Sequence, residues 1–258
     1  MGLAAAVVSA EAAVAQTGSV MQRMSLDELV GQLRQVHGAA LVAVVLYGST
    51  ASDEQVPGIS DQNVLVIVDA LDMAALRSLG QTARAWQEAG NPPPLLLTRR
   101  EWRGSSDVFP MEYADILEHH RVLAGTLPLE GVTVRMSDLR LQVEQEALGK
   151  LQRLRRAVMT AGTDASRQRE LMRQSLSAML VIFRSVVRMH GEPVPRDSAL
   201  VIDRAAALGG FNATPFKRVL KLKRGEPVAE AEVEGLLVGY VGGAEELRDH
   251  LDRHTPSG

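Results

Sequence analysis

Leu46-Tyr47-Gly48-Ser49-Thr50 and, across a polar loop, Ser60-Asp61-Gln62-Asn63-Val64-Leu65-Val66-Ile67 decide how this chain is read. Residues 39–46 form a nearly continuous apolar run rich in Val. That is the pattern of a strand buried on both faces, and it ends in Gly-Ser. Pro57-Gly58 marks a turn in the loop. Residues 63–68 are a second apolar run and a second strand. Side chains alternate along a strand, so Asp61 and Asn63 share one face. That face lies beside the Gly48-Ser49 turn if the two strands are neighbours. Gly48 carries no Cβ to hold a phosphate away from the backbone. The amide of Ser49 and the hydroxyls of Ser49 and Thr50 can donate to phosphate oxygens. Asp61 is placed to hold Mg²⁺, a hard cation that prefers carboxylate and phosphate oxygens.

Outward from this segment, strand and helix alternate. Residues 25–37 read as a helix opened by the capping box Ser25-Leu26-Asp27-Glu28, with Leu26, Leu29, Val30 and Leu33 on one face. Residues 72–89 read as one helix bearing Met73, Leu76, Leu79, Ala83 and Trp86, broken by Gly90-Asn91-Pro92-Pro93. Residues 94–98 read as a third strand and residues 111–117 as a short fourth. After about residue 137 the chain becomes helices separated by breakers. In 139–160, Leu148, Leu151, Leu154 and Val158 form one face, and in 167–189 Leu176, Met179, Leu180, Phe183 and Val187 form another. Further helices are expected at about 197–208, 214–222 and 229–252. The organisation expected is a leader over 1–24 without fixed structure, an α/β (α+β) domain with a small mixed sheet over 25–136, and an all-α helical bundle domain over 137–258.

Bulk properties narrow the partners. Hydrophobic residues make up 46% and charged residues 23% of 258 residues, enough to bury cores without staples. There is no cysteine, which excludes disulfides and thiolate metal sites and is compatible with a reducing cytosol. A formal charge of −3 gives no global pull toward nucleic acid, which is not an expected partner. No apolar run reaches the length of a membrane span. Ala13-Val14-Ala15 looks like a signal-peptidase site, but the segment has no basic start and Glu11 interrupts it. A cytoplasmic location is expected.

At Leu46-Tyr47-Gly48-Ser49 and Asp61 the chain resembles the nucleotidyltransferase superfamily typified by DNA polymerase β and the aminoglycoside nucleotidyltransferases. The family pattern is an apolar strand, Gly-Ser or Gly-Gly, a loop, and Asp-x-Asp opening a second strand, with a third carboxylate from a later strand. The resemblance implies a Mg²⁺-dependent enzyme. It would transfer a nucleoside monophosphate from a nucleoside triphosphate to a hydroxyl of a small-molecule acceptor that the sequence does not identify. Gly48, Ser49 and Thr50 would bind the nucleotide, and Asp61, Asn63 and Glu112 would hold the metal. Asp61 and Glu112 would be catalytic, Glu112 as general base on the acceptor hydroxyl.

One departure stands out. Asn63 occupies the place of the family's second Asp. An amide oxygen can ligate a metal, but it adds no charge. Two unit charges about 4 Å apart interact by roughly 4 kcal/mol at an effective dielectric near 20. Even a residual ~1.4 kcal/mol is a tenfold loss in affinity or rate. Asn63 therefore also supports an alternative: a catalytically degenerate relative that binds a nucleotide or another protein. Other polar residues invite plainer readings. On a strand, Asp115 would face away from Glu112. His119 and His120, being adjacent, would point to different sides. Arg99, Arg100 and Arg103 would be a solvated loop, and Arg184 and Arg188 the polar face of a helix.

Overall fold

The computed structural model describes residues 23–48 and 62–253. The expected leader lies outside the described residues, apart from its last two positions. Ten helices and four strands follow in the order α1 (Leu26–His37), β1 (Leu41–Tyr47), β2 (Asn63–Val68), α2 (Met73–Ser78), α3 (Gly80–Glu88), β3 (Leu95–Thr98), α4 (Arg99–Gly104), α5 (Pro110–Glu118), β4 (His120–Gly125), α6 (Met136–Ala161), α7 (Ala165–Met189), α8 (Ser198–Gly209), α9 (Ala213–Lys223) and α10 (Glu230–Arg253). No described helix is long and apolar enough to cross a membrane.

The sheet is small and mixed, in the order β3-β2-β1-β4. β1 runs antiparallel to β2 and to β4, and β3 runs parallel to β2. The two apolar runs are thus adjacent strands, as their patterns predict, with Tyr47 opposite Asn63. Both faces of the sheet are covered, which is why β1 reads as unbroken Val and Leu. Val44, Leu46, Val64 and Val66 pack with Leu29, Leu33 and Trp86 of α1 and α3. Ala43, Val45, Leu65 and Ile67 pack with Trp102, Tyr113 and Ile116 of α4 and α5. Burying each such Val, Leu or Ile contributes about 1.5–3 kcal/mol.

Three local expectations change. The single helix over 72–89 is two. Asp72 caps α2 through the Ala75 amide at 2.8 Å, and α3 begins afresh at Gly80. α2 buries no side chain; Met73 and Leu76 are exposed. The predicted strand over 111–117 is the helix α5. Pro110 sits in its first turn, where a missing N–H costs nothing. Tyr113 and Ile116, three apart, face the sheet core, whereas a strand would have put them on opposite sides. The fourth strand is instead β4, a partly exposed edge whose pattern is too weak to read. In α6 the buried stripe is Leu139, Val143, Ala147, Leu151 and Leu154, and Leu148 is exposed.

α6–α10 form the helical bundle domain, with α7 packed against α6, α8, α9 and α10. The α7 stripe is as predicted: Leu176, Met179, Leu180, Phe183 and Val187 are all buried. Phe183 stacks on Phe211 at 5.1 Å and meets the edge of Phe216 at 5.0 Å, and Phe216 lies 4.7 Å from Tyr240. α9 lies close on α10 because Gly239 and Gly243 make room: a Cβ on Gly243 would stand 2.6 Å from the Phe216 ring. Gly149, inside α6, has nothing within 4 Å of an added Cβ. Gly149→Ala is therefore expected to stabilise the protein by roughly 0.5–1 kcal/mol through backbone entropy. Gly243→Ala, the same exchange, should destabilise it by about 1–3 kcal/mol through overpacking. Urea midpoints of the two variants check this; shifts of the same sign would contradict the packing described.

Candidate active site

β1 ends at Gly48 with φ +78°, a left-handed conformation that favours glycine. A Cβ there would also stand 3.2 Å from Asn63 Nδ2, so the Asn63 amide lies directly against the turn. Gly48 and Asn63 are brought together as the sequence predicts. Ser49, Thr50 and Asp61 lie outside the described residues.

Tyr47, Asn63 and His120 are cross-strand partners in one row. Tyr47 packs on the sheet face covered by α4 and α5. Burial, then the charges of Glu112 and Asp115, push its phenol up to about 12. His120 Nδ1 is 2.7 Å from the Ile116 carbonyl oxygen.

Glu112 lies in the first turn of α5, half-buried, not on a strand and not facing open water. Gln142 of α6 donates from Nε2 to Glu112 Oε2 at 3.1 Å and accepts the Met111 amide at 2.8 Å. Burial raises the Glu112 carboxyl above its ordinary range, and the nearby Glu146 and Asp115 push the same way. The Gln142 hydrogen bond and one from the backbone oppose them. Helical geometry also corrects Asp115. Residues three apart share a helix face, so Asp115 stands beside Glu112, not opposite it.

Arg188 corrects a further reading. It is not on a solvated face; it is 4% exposed. Its Nη2 binds Asp115, and Nη2 and Nε reach Glu118 Oε2 at 2.8 and 2.9 Å. Burial opposes its charge, but Asp115 and Glu118 outweigh it and hold the guanidinium protonated. Arg99 opens α4 and closes an exposed pair with Asp69 at 2.8 Å.

A small crevice of about 10 Å³, room for about one water molecule, lies between the sheet domain and the bundle. Gly48, Asp115 and His119 line one wall, and Arg184, Pro195 and Arg196 the other. Arg184 and Arg196 were not legible as site residues: on one chain, a helix-face Arg and a loop Arg look like any others. A second cavity, of about 180 Å³, lies beneath α1 and α3 between Leu29, Leu33, Leu79 and Leu96. It is roomier, but its lining is apolar apart from Thr82, which is the wrong chemistry for a polyphosphate. Among the described residues no three His, Asp or Glu side chains converge to hold a metal ion. Asn63 lies beside Gly48, and α5 carries the carboxylates Glu112, Asp115 and Glu118; oxygen donors of these kinds suit a hard cation in type.

No family model matches the chain, and no curated protein sequence matches it. The fold, by contrast, has a counterpart among solved structures. The spectinomycin adenyltransferase AAD(9) from Enterococcus faecialis, crystallised with ATP and spectinomycin, superposes over 89% of this chain and 100% of that one. The TM-score is 0.56 and the identity 14%. This chain has the nucleotidyltransferase fold. The likeness extends through the helical bundle.

The raised carboxyl of Glu112 gives a stability signature within this nucleotidyltransferase fold. An acid whose folded pKa lies above its unfolded value near 4.3 keeps its full contribution below that value. The contribution is lost as pH rises through the folded pKa. Glu112→Gln is neutral at every pH and keeps an acceptor for Gln142. Its stability should match the parent's at acid pH and exceed it increasingly toward pH 8. Denaturant midpoints across that range measure the difference; a gap independent of pH would contradict the raised carboxyl.

Proposed function

We propose that the protein is a nucleotidyltransferase that moves a nucleoside monophosphate from a nucleoside triphosphate to a hydroxyl of a small molecule. The observation that carries this reading is a juxtaposition at the domain boundary: Gly48, Arg184 and Arg196 line one small crevice there. A glycine turn with two arginines nearby is suited in charge to a polyphosphate. Gly48, with Ser49 and Thr50, would hold the phosphates. Arg184 and Arg196 would offset the charge that develops as pyrophosphate leaves. Asp61, Asn63 and Glu112 would hold Mg²⁺, which when bound supplies Lewis-acid polarisation of the phosphoryl oxygens. Glu112 would take the proton of the acceptor hydroxyl, and a carboxyl raised by burial is the stronger base.

The similar adenyltransferase was crystallised with ATP and spectinomycin, which supports an adenosine nucleotide and a small hydroxylated acceptor here. A second reading rests on Asn63: a protein that binds Mg²⁺ and nucleotide without turnover.

Pyrophosphate release decides between them. The parent is incubated with each nucleoside triphosphate, Mg²⁺ and a panel of aminocyclitols. Turnover that falls at least 100-fold in Glu112→Gln, with nucleotide affinity retained, is expected of the enzyme. Nucleotide binding without any pyrophosphate supports the second reading. Asn63→Asp provides a further check. The added carboxylate should make the variant less stable than the parent in chelator and more responsive to Mg²⁺ plus nucleotide. Equal metal responses in parent and variant would mean that residue 63 does not face the metal.

A further inference from the structure

We propose that Gln142, on the first helix of the bundle, is a positioning residue that aims the carboxylate of Glu112; this rests on reading Glu112 as the base. Both ends of its amide are used. Oε1 accepts the Met111 amide at 2.8 Å, and Nε2 donates to Glu112 Oε2 at 3.1 Å. The Met111 N–H is one of the amides that a helix start leaves without an intrahelical partner. It fixes which end of the Gln142 amide is the acceptor, and so forces the donor toward Glu112. A flipped amide would set donor against donor and oxygen against oxygen. The far end of α5 is fastened independently, through Asp115 and Glu118 to Arg188. The helix therefore cannot follow Glu112 if the carboxylate swings.

The groups that face Glu112 are few. Asp115 lies on its own helix, Glu146 on α6 beside Gln142, and Tyr47 on β1. Arg188 engages Asp115, and Lys150 lies 3.2 Å from Glu146. Gln142 is a neutral side chain that donates to the carboxylate, so removing its donor and removing a neighbouring carboxylate move Glu112 in opposite directions. A residue that merely fills space predicts no such opposition.

The test follows the Glu112 carboxyl by ¹³C NMR, with Glu112→Gln assigning the resonance. Gln142→Leu removes both the acceptor for the Met111 amide and the donor. The midpoint of Glu112 is expected to rise in Gln142→Leu, where the donor is lost and no charge is added, and to fall in Glu146→Gln. On the acid limb of its pH profile, kcat should drop about tenfold per unit of that shift, with KM for the nucleotide changed less than twofold. A midpoint that stays put in a folded Gln142→Leu protein overturns the proposal. If the midpoint moves but Glu112→Gln keeps full turnover, the positioning stands and the reading of Glu112 as base fails instead.

Discussion

Arg188 carries a positive charge into the interior of the molecule, and two carboxylates on α5 meet it there. Taking such charges out of water is expensive, and pairing returns that cost only with good geometry and further hydrogen bonds. Removing one partner of a buried pair typically costs about 3–5 kcal/mol, whereas replacing the whole pair with apolar side chains is often neutral. The pair is therefore better understood as a fixture of position than as a source of stability. It ties α5, which lies under the sheet, to α7, the helix at the centre of the bundle.

α5 is the element on which the two domains meet. Met111 enters the bundle core, while Tyr113 and Ile116 enter the core beneath the sheet. Tyr113 stacks on Trp102 at 4.4 Å and donates to the Trp102 carbonyl at 2.8 Å. The face between these anchors carries Glu112, Asp115 and Glu118, held by Gln142 and Arg188.

The legible parts of this molecule are those where a local pattern has a single physical outcome. β1 and β2 read correctly because a strand buried on both faces has no polar positions to confuse it. The capping box at Ser25 read correctly because its hydrogen bonds lie within four residues, Ser25 N to Glu28 Oε2 at 2.7 Å. Gly48 and Asn63 were placed together by alternation and strand pairing alone. α5 was not legible as a helix because Met111, Tyr113 and Asp115 alternate like a strand. Pro110 at the helix start was the signal that could have corrected it. Gln142, Arg184, Arg188 and Arg196 were not legible at all. Their roles come from which helix lies against which, and a single polar residue on a helix carries no mark of its distant partner. Asp115 and Arg188 are 73 residues apart in sequence.

The central claim is that the end of β1, the start of β2 and α5 together present a metal–triphosphate site facing the bundle. A crystal grown with Mn²⁺ and a non-hydrolysable nucleoside triphosphate, measured at the manganese absorption edge, addresses it most directly. The account predicts an anomalous peak within ligand distance, about 2.0–2.4 Å, of the Asn63 side-chain oxygen. The triphosphate should lie between the Gly48 turn and Arg184 and Arg196. Nucleotide bound elsewhere, or a manganese peak away from both Asn63 and Glu112, would contradict it.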